Sequence, residues 1–182
     1  MYKLVTIEDV VRIPPTLFNK PLKESALKIL KEQYEGLIDK DLGLILLVRD
    51  VKEIKDGKIL PGDGASYHKV IFEALIFKPE VQEVIEGDIT GITEFGAFVN
   101  LGPMEGLIHI SQITDDYFSF DKKAERLIGR DTKKSLKKKD IVRARVVTVS
   151  LKRDSPKIGL TMRQPYLGKL EWIEQEKKKE GK

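Results

Sequence analysis

The sequence predicts an α+β domain followed by an all-β barrel, and three observations lead there. In the first half, apolar residues recur at helical spacing from Leu22 to Tyr34, between two extended apolar segments. In the second half, the stretch from Glu86 to Asn100 alternates with the two-residue period of a half-buried strand, and further short β-type runs follow as far as Thr161. The length of 182 residues exceeds what one small barrel needs, so a separate domain of about 80 residues is expected ahead of it.

Tyr2 to Ile13 is an extended, apolar-rich segment ended by Pro14-Pro15, because proline cannot supply the next ladder donor. Leu22, Ala26, Ile29, Leu30 and Tyr34 then form a helical stripe. Asn19 and Pro21 stand near its start and Gly36 near its end, the usual asymmetry of helix boundaries. This helix is expected to cover a sheet. Leu42 to Ile54 reads as a strand with a nearly continuous apolar centre, and Asp56-Gly57 predicts a hairpin turn before Lys58-Ile-Leu60. After Pro61-Gly-Asp-Gly64 comes a long strand, Tyr67 to Phe77, with apolar residues on both faces. Such a strand is covered on both sides, and one cover could be another protein. The order β-α-β-β-β is that of an incomplete RNP-like or ferredoxin-like unit, but the glycine-aromatic motif that stacks bases in RNA-recognition domains is missing. Residues 1–80 also carry no nucleotide-binding glycine fingerprint and no nucleophile-base constellation.

In the second half, Ile89, Gly91 and Thr93 alternate with Asp88, Thr90 and Ile92, and Gly91 predicts a bend in the first barrel strand. Phe95 and Phe98 are three apart across Gly96-Ala97, so an undisturbed strand sends them to opposite faces. A bulge at Gly96 could bring both outward; the alternative reading is two phenylalanines in a core. Phe95-Gly-Ala-Phe-Val99, Gly106-Leu-Ile-His-Ile-Ser111, Asp140-Ile-Val-Arg-Ala-Arg-Val-Val147 and Lys157-Ile-Gly-Leu-Thr161 resemble, in order, successive strands of the S-one type of OB-fold. The resemblance covers most of residues 82 to 163 and implies that Phe95, Phe98 and His109, with basic residues on neighbouring strands, form a surface for single-stranded RNA. The chain departs from that family's pattern at Lys139-Asp140, where Gly-Asp is usual, and at Ser150, where an acidic residue is frequent.

Composition narrows the function. Hydrophobic residues make up 41% and charged residues 34%, enough apolar material for two modest cores under a well-solvated surface. With no cysteine, disulfides and thiolate-bound zinc are excluded, and two histidines far apart in sequence predict no metal site. No cofactor is expected. The longest apolar run, Leu42 to Val48, is far short of the roughly 20 residues that span a bilayer. No signal-peptide pattern opens the chain, so a soluble intracellular protein is expected. Between Asp121 and Arg153 stand thirteen Lys or Arg against four Asp or Glu. That density either marks a surface for a polyanion or, at Lys133 to Lys139, a solvated loop. Arg143 and Arg145 share one face of their strand and carry the charge onto the sheet.

Taken whole, the chain resembles the family of archaeal RNA polymerase E-prime subunits, counterparts of the seventh-largest subunit of the eukaryotic enzymes. Arg12-Ile-Pro-Pro15, Gly62-Asp-Gly-Ala65 and Phe77-Lys-Pro79 are its marks in the first domain. The resemblance implies a non-catalytic stalk subunit. It forms a heterodimer with a small helical polymerase protein called F, docks on the polymerase core and holds its barrel toward nascent single-stranded RNA. The expected layout is a docking and dimerisation domain over 1–80, an RNA-binding barrel over 81–165, and a charged C-terminal helix or tail over 166–182. The expected RNA site is Phe95, Phe98, His109, Arg143, Arg145, Lys152, Arg153 and Lys157. Gly62, Asp63 and Gly64 match the family's docking tip, with Asp63 offering its charge at the contact, though two such glycines also suit any tight turn. The expected location is an archaeal cytoplasm, or a nucleus in a eukaryote. An accessory module of an exoribonuclease complex and a translation factor are the alternative readings.

Overall fold

A computed structural model describes residues 1–152 and 155–180, apart from the side chains of 179 and 180. The chain divides into two compact units, with main bodies Met1–Lys78 and Pro79–Ser150 and the rest of the second unit following further along the chain.

In the first unit, β1 (Tyr2–Ile13) is followed by a single 3-10 turn at Pro15–Leu17 and by α1 (Leu22–Tyr34). Three strands follow: the short β2 (Ile38–Asp39), the long β3 (Gly43–Ile59) and β4 (Ser66–Phe77). They form one antiparallel sheet in the order β1-β4-β3-β2. The core lies between that sheet and α1, where Val11, Val48, Phe72, Ala74 and Leu30 are fully buried. Tyr34 closes one end of it, its ring against Phe72 and its hydroxyl donating to Asp9.

Asp56-Gly57 makes no turn. β3 runs straight through it, opposite β4, with a register shift between Ile54 and Gly57. The glycine is needed there because a Cβ at Gly57 would collide with the ring of His68, its cross-strand partner. That ring is itself fixed: Nδ1–H donates to the Lys55 carbonyl at 3.1 Å and Nε2 accepts from the Ser66 hydroxyl at 3.1 Å. The hairpin turn falls later, at Leu60–Ala65, so the glycine-rich segment is the far tip of this long ribbon.

β4 has two unlike faces. Val70, Phe72, Ala74 and Ile76 point to α1 and are buried. On the opposite face Leu75 lies in register with Leu4 and Leu47, both partly exposed, but Glu73 and Ile71 lie among charges: Arg49 and Lys52 reach Glu73, and Lys69 and Lys55 reach Glu8. The second face is therefore apolar only toward one end.

The second unit contains a closed barrel of five strands: β5 (Val84–Thr93), β6 (Gly96–Asn100), β7 (Glu105–His109), β11 (Ile141–Ser150) and β12 (Lys157–Thr161). Antiparallel pairs join β6 to both β5 and β7, and β11 to both β5 and β12, while the parallel pair β7–β12 closes the ring. Ile89, Ala97, Val99, Ile108, Val142 and Leu160 fill it. Between β7 and β11 the chain inserts a three-stranded sheet of its own: β8 (Phe118–Asp121), β9 (Arg126–Gly129) and β10 (Ser135–Lys137). Leu127 and Leu136 are fully buried beneath it.

The C-terminal helix, α2, starts at Leu170 instead of Tyr166. Tyr166 has φ of 64° and Gly168 φ of 131°, which end any helical path through them. Gly168 and Lys169 instead form β13, paired with β11. Trp172 turns inward and is only 7% exposed, with the Lys134 ammonium 5.2 Å from its ring centroid and Lys134 bound to Glu176 at 3.0 Å.

Candidate nucleic-acid interface

The aromatic patch is built by the β5–β6 turn. Thr93 pairs with Gly96, leaving Glu94 and Phe95 as the two turn residues, so Phe95 belongs to no strand and escapes the alternation that opposes it to Phe98. The predicted bulge at Gly96 is absent. The register shift lies between Ile89 and Gly91, in the bent first strand. Phe95 is 46% exposed, Phe98 is half-buried on the outer face, and their rings meet edge to face at 6.1 Å between centroids. Gly96 is glycine because any side chain would strike the Ile108 carbonyl, so the turn packs flat against β7. The Phe95 carbonyl accepts from Ile110 N–H at 2.9 Å, and His109 stands across from Gly96.

His109 is exposed and oriented. Its Nδ1 accepts from the backbone N–H of Ser111 at 3.3 Å and contacts the Ser111 hydroxyl at 2.9 Å, which leaves Nε2 to carry the ring proton. Two phenyl rings and an imidazole thus share one outer surface, a geometry able to stack unpaired bases.

The basic residues named from sequence are distributed unequally around this patch. Lys157 opens β12 and is exposed, one alternation from Gly159, which pairs with Leu107, itself opposite Phe98. Arg143 and Arg145 do share the outer face of β11, but Arg143 pairs with Glu86 across the strands and binds its carboxylate at 2.7 Å. Arg145 donates to Gln82 at 3.3 Å, and its Nε is buried with no partner among the described residues. From Glu86 to Gly91, opposite Phe98, the strand covers roughly 17 Å at about 3.4 Å per residue. Along β5 Arg143 is therefore removed from Phe98, and Glu86 neutralises it, whereas Arg145 also pairs with Thr161 of β12, the strand beside β7, and so stands about two strand spacings, roughly 10 Å, from His109. Lys152 is exposed, and Arg153 lies outside the described residues.

The tip of the first unit holds a cluster that the sequence did not signal. Arg12, 51 positions away in sequence, donates twice to the Asp63 carboxylate, at 2.9 and 2.8 Å. The Tyr67 hydroxyl adds a third bond at 2.6 Å and the Ala65 N–H a fourth at 3.2 Å. The Arg12 hydrogen bonds, then those from Tyr67 and Ala65, hold the Asp63 carboxyl far below the usual carboxylate range, and Asp63 in return raises the Tyr67 phenol. Asp63 therefore organises the turn from inside, and reversing its charge would repel Arg12 as well as any partner. Gly62 takes φ of 86° at the apex, with open space around it, whereas Gly64 needs no unusual φ and faces Pro15. What the tip exposes is apolar: Ile59 is 69% and Leu60 50% exposed.

Comparison with known proteins agrees with both units. Residues 8–64 match the SHS2 domain found in the N terminus of Rpb7p/Rpc25p/MJ0397, and residues 78–160 match the S1 RNA binding domain. DNA-directed RNA polymerase subunit Rpo7 of Saccharolobus shibatae is 52% identical over 180 residues, covering 98% of this chain and all of that one. The Rpo7 subunit of Sulfolobus acidocaldarius is 47% identical over 97% of both chains. DNA-directed RNA polymerase III subunit RPC8 of Saccharomyces cerevisiae is 35% identical across 56% of this chain and 48% of its own length. With full-length identity of this order, and with an SHS2 domain followed by an S1 barrel, the chain belongs to the Rpo7 family of DNA-directed RNA polymerase subunits.

Proposed function

We propose that the chain is the non-catalytic stalk subunit of an archaeal RNA polymerase, working in the cytoplasm. It pairs with the small helical F protein, docks on the core enzyme by the Gly62-Asp63-Gly64 tip, and binds nascent single-stranded RNA on the outer face of its barrel. The observation that carries the reading is the exposed edge-to-face pair of Phe95 and Phe98 beside the oriented ring of His109. Each stacked base contributes about 1–3 kcal/mol, and phosphate neutralisation adds a term independent of base identity. Stacking and charge need no acid, base, metal or cofactor. Lys157 supplies charge on a barrel strand near the rings, and Lys152 and Arg153 precede it in sequence; Arg143 and Arg145, bound to Glu86 and Gln82, are left out of the basic set proposed for the RNA.

The tip supports docking because its backbone is held by Arg12, Asp63 and Tyr67 while Ile59 and Leu60 remain available to a partner's pocket. The partly exposed row of Leu4, Leu75 and Leu47 supports pairing with a second polypeptide. Affinity purification from the native cell tests the assignment. Recovery of the large polymerase subunits together with the F protein is the expected result, and recovery of exoribonuclease or ribosome components in their place would overturn it.

A further inference from the structure

The inserted sheet β8-β9-β10 is unexplained by the barrel's own closure, and its charge is concentrated at one end. Antiparallel register sets Asp121, Arg126 and Lys137 in one row across the three strands, so the β8–β9 turn with Lys122 and Lys123 lies at the same end as Lys138 and Lys139. Asp121 is occupied by Arg126 at 3.6 Å, and Asp140 is buried against Lys169 at 3.1 Å. Lys137 lies near enough to Glu171 to lower its pKa, though Lys169 does so more strongly. Lys122, Lys123, Lys138 and Lys139 are exposed and form no ion pair among the described residues. Lys134, from the same lysine run, is differently employed, bound to Glu176 and Trp172.

This basic end adjoins the aromatic patch. Lys139 N–H donates to the Ile89 carbonyl at 2.8 Å, and Ile89 N–H donates to the Asp140 carbonyl at 3.0 Å, so Lys139 is seated directly beside β5. The next strand over is β6, which carries Phe98. Two strand spacings, roughly 10 Å, thus separate Lys139 from the Phe98 strand. The one carboxylate close by on β5, Asp88, accepts from the Asn100 side chain at 3.1 Å.

We propose that the basic end of the inserted sheet, Lys138 and Lys139 backed by Lys122 and Lys123, is the phosphate-binding continuation of the aromatic patch, and that single-stranded RNA leaving Phe95 and Phe98 crosses β5 onto it instead of following β11 past Arg143 and Arg145. The proposal rests on the barrel being the RNA site. It also assigns the insertion a role: Lys157 offers charge near the rings on one side of the patch, and the insertion adds charge on the other, beside Ile89, two residues along β5 from Gly91, which lies opposite Phe98.

The test is the salt dependence of single-stranded RNA binding by the full-length chain. Each phosphate contact on a single strand contributes about 0.7 to the slope of log affinity against log salt. Lys122→Gln, Lys123→Gln, Lys138→Gln and Lys139→Gln combined should make that slope shallower by about 2–3, while Arg143→Gln with Arg145→Gln should change it by less than one contact. An unchanged slope in the lysine variant, or a larger loss in the arginine variant, overturns the proposal. Loss of binding on replacing Phe95 and Phe98 by alanine, combined with an unchanged lysine slope, would sink the path alone. Failure of the wild-type chain to bind single-stranded RNA would sink the site and the path together.

Discussion

Replacing Lys169 by methionine should destabilise the second unit by about 3 kcal/mol, because it strands a buried carboxylate. The ammonium of Lys169 bridges Asp140 at 3.1 Å and Glu171 at 2.8 Å, and the side chains of Lys169 and Asp140 are only 9% and 7% exposed. Burial pulls the Lys169 pKa down, but the hydrogen bonds to Glu171 and Asp140 together outweigh it, and the ammonium stays charged with its pKa raised. The Glu171 arm is mostly exposed and worth little. After the substitution the Asp140 carboxylate keeps the Lys137 N–H at 2.9 Å, too little for a buried charge. For a unit of this size, about 3 kcal/mol corresponds to a fall in Tm of roughly 12–24 °C. Trp172, the single tryptophan, is buried in the helix that begins one residue after Lys169, so its fluorescence during urea or thermal unfolding reads this unit directly. Adding Asp140→Leu to Lys169→Met should recover part of the loss by removing the stranded charge, with the unmet Lys137 amide limiting the recovery. A loss below about 1 kcal/mol, the size expected of an exposed ion pair, would refute the claim that this clasp holds β13 and α2 on the barrel.

Asp63→Ala should release Arg12 and Tyr67 and loosen the tip: hydrogen exchange at the Ala65 amide should quicken and association with the core polymerase weaken, and unchanged exchange would contradict the clamp. Asp116 accepts from the side chain and backbone of Thr132 and from Asp131 N–H, and these bonds, with that of the Thr132 hydroxyl foremost, lower its pKa to about 2. Its contribution to the β9–β10 turn should be fully present above the ordinary value of about 3.9 and fade as pH falls through about 2, so an NMR titration midpoint at the ordinary value would contradict it. The F protein at about one hundred times its Kd should add roughly 2.7 kcal/mol to the stability of the chain; no rise in Tm on mixing the two would argue against pairing.

Where local pattern and fold agree, the sequence was readable. β1 and α1 fall at Tyr2–Ile13 and Leu22–Tyr34 because prolines fix one end of each and apolar periodicity runs between. β12 matches Lys157–Thr161 for the same kind of reason, being a short alternating run. Asp56-Gly57 misled because a turn dipeptide is a local signal, whereas this glycine is dictated by His68, a partner on another strand. The inserted sheet was hidden because its strands are three or four residues long and lie within a lysine-rich stretch that also reads as loop. At the candidate site, Phe95, Phe98 and His109 were legible from motif and come together through the turn at Glu94-Phe95. The register that sets Arg143 against Glu86 and Arg145 between Val84 and Thr161 was not, since strand pairing fixes it and residue type does not. The Arg12–Asp63–Tyr67 clamp likewise joins positions too far apart in sequence to announce one another.

Single-stranded RNA binding by the chain with both Phe95→Ala and Phe98→Ala tests the central claim most directly. If each ring stacks one base, binding should weaken by roughly 2–6 kcal/mol, at least about 30-fold, at fixed salt. The salt slope should remain close to that of the unaltered chain, because no phosphate contact is removed. A double variant whose Trp172 emission shows a native barrel and whose RNA affinity stays within about twofold of the unaltered chain would contradict base stacking on this face.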